Sequence, residues 1–146
     1  MKARDVMTQF AQVVTTTDPL SHAAALMRDS DIGFVPVVDD REAKRLVGVL
    51  TDRDIAIRHV ASGHDDSCRV GQHMTADELL TVEADATLED VRQQMMDRQI
   101  RRVIVTDGEG SVVGVIAQAE IATKSEEDSE TGEMLAEISA QDPLKS

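Results

Sequence analysis

Short apolar runs alternate with helix-spaced apolar positions along most of this chain. Val13–Thr16 is a β-branched stretch that predicts a short strand. Asp18-Pro19 then opens a helix, with Asp18 as N-cap and Pro19 at the first helical position. Ala23, Leu26, Met27 and Ile32 fall on one side of it. Gly33–Val38 is a continuous apolar run, "DDREAKR" is a turn, and Leu46–Thr51 is a second strand, antiparallel to the first. "DRDIAIRHVA" follows as a helix with Ile55, Val60 and Ala61 inward.

The same order then returns. Displacing the chain by 68 positions puts Val14 on Val82, Leu20 on Leu88, Met27 on Met95, Val35 on Val103 and Val37 on Val105. A displacement of 66 puts Val47 on Val113, Gly48 on Gly114, Val49 on Val115 and Ile55 on Ile121. The two-residue change falls in the turn between strands, "DDREAKR" against "DGEGS", where length differences are tolerated. In the second half Thr87 caps a helix carrying Leu88, Val91, Met95 and Met96, and Val103–Thr106 and Val112–Ala117 are the strands. The nearly unbroken Val-rich strands suit sheets covered on both faces. A short segment before each half also recurs, "ARDVMT" and then "RVGQHMT". The predicted architecture is α/β, each half reading strand, helix, strand, strand, helix.

Composition narrows the function classes. The 146 residues include no Trp or Tyr and only two Phe, so no aromatic platform for stacking bases exists. A net charge of −13 is a poor match for a nucleic-acid backbone. Residues 125–146 carry a net −6 of this, which marks an acidic tail. Nothing in the N-terminal stretch reads as a secretory signal and no run reaches the length of a membrane span, so a cytoplasmic protein without membrane association is the simple expectation. In the tail, "KSEEDSE" reads as disordered or loosely helical. "TGEMLAEISAQ" has the pattern of a short helix, with Thr131 as cap and Met134, Leu135 and Ile138 on one face. That face would dock on the body, on a second chain or on another protein; docking within a dimer is the preferred reading.

Candidate chemistry gathers at "GVLTDRD". Asp54 can accept hydrogen bonds from both hydroxyls of a ribose, and Thr51 can bond a ribose or phosphate oxygen. Both lie where a strand feeds a helix, a common ligand position in α/β structures, and the helix N-terminus suits a phosphate. A lone T-x-x-D is more simply an N-cap; the repeat context favours the ligand reading. Arg101 and Arg102 stand at the entrance of a strand, where adjacent guanidiniums can fork onto phosphate oxygens, although such a pair is ordinarily a solvated turn. Gly33, Phe34, Val35 and Pro36 form the matching strand entrance of the first half. Pro36 argues for an edge or irregular position whose backbone is left to meet a purine, against plain core packing. Thr16, with Thr15 and Thr17, ends the first strand beside the same place.

These motifs, "GFVPVVDD", "GVLTDRDI" and "RRVIVTD" above all, resemble the CBS (cystathionine-β-synthase) domain pair over roughly residues 1–123. The resemblance implies one repeat at 1–64, a second at 65–123 and a tail at 124–146, the repeats packed about a pseudo-twofold axis. It also implies pairs that dimerise, and a central cleft that takes adenine nucleotides or related adenosyl molecules. AMP, ADP or ATP, with magnesium where a polyphosphate binds, is the implied ligand; no obligatory cofactor is. The Thr and Asp of the glycine-led motif, here Thr51 and Asp54, would hold the ribose, and Arg101 and Arg102 the phosphate. The second half departs from the pattern with Ala117 and Glu120, so one competent site per chain, or a second of lower affinity, is expected. The function expected is a non-catalytic regulatory module signalling to a separate, unknown protein; the alternative is a constitutive homodimeric scaffold without a small-molecule ligand.

Other reactive residues carry little at this level. His22, His59, His64 and His73 are scattered; His59 and His64 lie five apart near a helix end, which is poor metal spacing, so they read as surface or cap histidines and no metal is assigned. Cys68, the single cysteine, cannot form an internal disulfide and reads as an inert linker thiol. No nucleophile–base arrangement and no phosphate-binding glycine loop is present, and no catalytic residue is assigned.

Overall fold

The computed structural model describes residues 1–9, 12–77 and 79–128, with side chains through residue 123. The proposed helix of Thr131, Met134, Leu135 and Ile138 lies outside the described residues. The chain forms α1 (Ala3–Val6), β1 (Thr8–Gln9), β2 (Val14–Thr15), α2 (Leu20–Ser30), β3 (Phe34–Val38) and β4 (Leu46–Thr51). A short turn of helix, α3 (Asp52–Asp54), runs directly into a π-helix at Ile55–Val60. Then come α4 (Val70–His73), β5 (Thr81–Glu83), α5 (Leu88–Arg98), β6 (Arg102–Thr106), β7 (Val112–Ala117) and α6 (Gln118–Asp128).

Two compact units result. Among the described residues, one comprises 12–77, 79–80 and Thr106–Val112; the other comprises Met1–Gln9, Thr81–Val105 and 113–128. The first holds a three-stranded sheet in the order β2-β3-β4. β2 runs parallel to β3, pairing Val14 with Val37 and Thr15 with Val38, and β3 runs antiparallel to β4. Its core joins Val14, Val35, Val37 and Leu50 from the sheet to Leu20, Ala23 and Met27 of α2, with Cys68 and Val70 completing it. The second unit is built on a sheet in the order β1-β7-β6-β5, with Val91 and Met95 of α5 buried.

The recurring leading segments account for how the units are assembled. α1 opens the first repeat but docks on elements of the second: the Ala3 and Arg4 amides donate to the carbonyls of Ala86 and Ala84, and Arg4 pairs with Asp85. α4 does the converse: the Val70 and Gly71 amides donate to Asp18 and Thr16. Thr8 then pairs with Val115 on β7, and Thr75 exchanges both backbone hydrogen bonds with Val49 on β4, each 2.8 Å. Each Met-Thr step lies against the glycine of the strand it meets. A Cβ on Gly48 would stand 2.8 Å from Met74 Sδ and 2.9 Å from the Thr75 carbonyl, and one on Gly114 would stand 2.7 Å from Met7 Sδ and 2.9 Å from the Thr8 carbonyl. This close approach is the physical reason that the two glycines coincide in the repeat.

Most predicted elements form where the pattern puts them. Two positions expected on apolar helix faces are exposed instead, Ile32 beyond the end of α2 and Met96 on α5, and three further local differences stand out. Asp18 is not the N-cap of α2. Pro19 is extended (ψ 141°) and takes that position, and the Asp18 carboxylate turns back to accept the Thr15 amide (3.0 Å) and the Arg41 guanidinium (2.6 Å). Burial pushes the Asp18 carboxyl up, but the Thr15 hydrogen bonds and Arg41 outweigh it and hold it below the ordinary value. A carboxyl depressed by folding contributes stability above its unfolded value and loses it as pH falls through the folded one. Asp18→Asn is therefore expected to flatten the acid limb of a stability-against-pH curve while changing little of its shape above neutrality.

The second difference concerns Val60 and Ala61, which are exposed rather than inward, Val60 at 67%. The wider π turn, with the Ala61 amide reaching back to Ala56, rotates them off the buried face. The third is Pro36, which lies on the central strand of its sheet. β2 begins opposite Val37, so the proline sits just short of the parallel pairing, and the β3–β4 register shifts between Val37 and Val38. Thr87 caps α5 as predicted, its hydroxyl accepting the Asp90 amide at 3.2 Å. Thr87→Ala is expected to cost about 1 kcal/mol in equilibrium unfolding.

Candidate functional site

The end of β4 is organised as a reciprocal cap. Thr51 Oγ1 accepts the Asp54 amide at 3.0 Å, and Asp54 Oδ2 accepts the Thr51 amide at 3.0 Å. The capping role weighed for Thr51 is thus present, and Asp54 completes it. The box does not exhaust either side chain. The Thr51 hydroxyl still has its proton to donate, and a carboxylate has about four lone-pair positions. Asp54 spends one on Thr51, and its other oxygen lies 3.8 Å from Arg58 Nε. With its side chain only 13% exposed, Asp54 is fixed in place before any ligand arrives.

Several predicted neighbours join this turn. Phe34 is directly opposite Thr51 across the β3–β4 pair, and the Gly33 carbonyl accepts the Asp52 amide at 3.0 Å. The side chains of Val35 and Pro36 are sealed in the core, so only their backbone is offered. Thr16 is half-buried at the end of β2, with its carbonyl committed to the Gly71 amide. In the other unit, Arg101 and Arg102 are exposed at the start of β6. The Arg101 carbonyl accepts the Gln118 amide at 2.8 Å, just as Gly33 receives Asp52. Glu120 occupies the place of Asp54. Burial raises its carboxyl above the ordinary value, against the opposing pull of the Ala117 amide and the Thr8 hydroxyl. Ala117 has no hydroxyl to return the cap, so this turn keeps half of the box.

A second cluster was not legible in the sequence. His59 on the π-helix, His64 beyond it, the buried Cys68 and His73 at the end of α4 converge, each offering one ligand atom, and these atoms all lie within 4.8 Å of one another. The Cys68 thiol is 3.5 Å from His64 Nδ1, and the His64 and His73 rings are 4.9 Å apart. Burial first, then the charges of His64, His59 and Arg58, hold His73 below the ordinary imidazole value. The five-residue interval is unfavourable on an α-helix but natural here, because π-type bonds span five residues: the His64 amide donates to the His59 carbonyl at 3.1 Å. Cys68 is a core residue rather than an inert linker thiol. Arg58 reaches from Asp54 to this region, donating to the carbonyls of His73 and Met74, each 3.2 Å.

Comparison with known proteins gives this arrangement a family. The CBS domain profile matches residues 3–59 and again 70–127. CBS domain-containing protein YhcV of Bacillus subtilis is 35% identical over 94% of this chain and 95% of its own length. Hypoxic response protein 1 of Mycobacterium tuberculosis is 37% identical over 82% of each chain. The crystal structure of Hypoxic Response Protein I, solved with two coordinated zinc ions, has 35% identity, covers 84% of this chain and 97% of that one, and superposes with a TM-score of 0.73. CBSX2 of Arabidopsis thaliana, solved in complex with AMP, shares the fold with a TM-score of 0.72 at 24% identity, over 85% of this chain and 95% of that one. The chain belongs to the CBS domain family, and its fold is the α/β fold of CBS pairs. Among the described residues, no helix is long and apolar enough to cross a membrane.

Proposed function

We propose that this chain is a regulatory CBS pair that binds an adenine nucleotide or adenosyl ligand and passes the bound state to a separate protein. The observation that carries the reading is the Thr51–Asp54 box, which holds a carboxylate with spare acceptor positions and a hydroxyl with a free proton at one strand end. That is the functionality that a ribose diol requires. Arg101 and Arg102 are assigned to the phosphate, with magnesium where the ligand is a polyphosphate. Backbone at Gly33–Pro36 and Thr16 would line the base. The AMP held by CBSX2 supports the ligand class. In this reading the chain acts as a cytoplasmic homodimer without catalysis of its own, and the ligand biases a conformational equilibrium by binding its two states unequally.

The same box also favours a second reading. Thr51 and Asp54 satisfy each other without any ligand, as they would in a constitutive scaffold. Thermal unfolding against AMP, ADP, ATP and S-adenosylmethionine separates the two. The regulatory reading expects at least one of them to raise the midpoint with a saturable concentration dependence. A flat response to all four would leave the scaffold.

A further inference from the structure

We propose that His59, His64, Cys68 and His73 form a closed, four-coordinate site for one transition-metal ion, zinc by the chemistry of its donors. The four ligand atoms lie within 4.8 Å of one another. In a tetrahedral zinc site, bond lengths of roughly 2.0–2.3 Å put neighbouring donors about 3.3–3.7 Å apart. The Cys68–His64 pair is already there at 3.5 Å, and the others need a closure of about 1 Å. His64 is exposed and can make much of that adjustment.

Packing alone does not account for the cluster. A thiol–imidazole hydrogen bond explains Cys68 and His64. It leaves His59 Nδ1 and His73 Nε2, both buried and both without a hydrogen-bond partner. Buried polar nitrogens are nearly always paired, and here two of them belong to the same ring of potential ligands. Three imidazoles with a thiolate make a borderline-soft nitrogen–sulfur set that suits zinc and offers no oxygen for calcium or magnesium. His59 also lines a surface hollow with Ser21, Asp65 and Asp66, so carboxylates stand at an approach for a cation. Four protein donors leave no open position, so the ion is structural. It ties the π-helix, the segment 61–69 and α4 into one body, and it does so independently of any nucleotide.

The test uses the full-length chain without a histidine tag. Metal content after gel filtration is expected to be about one zinc per chain. Chelated protein refilled with cobalt(II) should show the strong visible bands of a tetrahedral ion and a near-ultraviolet thiolate-to-cobalt band. Cys68→Ser should lose the thiolate band. His64→Gln, altered at the exposed ligand and so expected to fold, should bind zinc at least about tenfold more weakly, whereas His22→Gln, outside the cluster, should bind unchanged. A chain that takes up no zinc even after reconstitution, or zinc affinity equal in wild type, Cys68→Ser and His64→Gln, would overturn the assignment.

Discussion

Leu50→Ala is expected to destabilise the chain by about 2–5 kcal/mol, enough to consume a large part of a small domain's stability. Leu50 has no solvent exposure and stands opposite Val35 on the sheet of the first unit. It packs in the cluster where Val14, Val37, Leu20, Met27 and Val70 meet. Removing most of its side chain gives up its transfer free energy and opens a cavity between sheet and α2 that the β3–β4 pair cannot easily close. Urea unfolding with an unchanged slope and a lower midpoint is the expected observation. A loss below about 1 kcal/mol would mean that the core is loosely packed at this strand and collapses around the missing side chain.

Asp54→Ala is expected to separate stability from ligand response. The box loses the acceptor for the Thr51 amide, and Arg58 loses its carboxylate neighbour, for a cost of about 0.5–1.5 kcal/mol. The larger effect is on binding. A ligand at about a hundredfold over its dissociation constant adds about 2.7 kcal/mol to the wild type, and that increment should vanish in the variant. Thermal midpoints with and without AMP for both proteins measure it. Equal ligand-induced shifts in the two would remove Asp54 from the site.

Much of this architecture is legible in the sequence, because a duplicated pattern constrains itself. The buried β3 and β6 and the buried positions of α2 and α5 match across the halves, Leu20, Ala23 and Met27 against Leu88, Val91 and Met95, whereas Ile32 and Met96, expected on the same faces, are exposed. Gly48 and Gly114 coincided in the repeat for a reason visible only in three dimensions, the approach of Met74-Thr75 and Met7-Thr8. The exchange of leading segments was not readable. "ARDVMT" and "RVGQHMT" match each other, so the pattern is equally satisfied whichever repeat each one completes. Asp18 misled because a carboxylate before proline has two uses, and the extended Pro19 left it to Thr15 and Arg41. Val60 and the histidines misled for one shared reason: the pattern assumes α-helical spacing, and the chain after Asp54 winds as a π-helix. A histidine pair five residues apart, followed by Cys and His at intervals of four and five, would have been the signal on that wider turn.

The most direct measurement is calorimetric titration of AMP, ADP, ATP and S-adenosylmethionine into the full-length wild type and Asp54→Asn. Asparagine keeps an oxygen for the Thr51 amide, so the cap and the fold persist, but it loses the charge and one acceptor that the ribose diol needs. Saturable binding of at least one ligand to the wild type, and a loss of about tenfold or more in the variant, are expected. Binding of equal strength to both proteins, or none to either, would contradict a ribose site at Asp54.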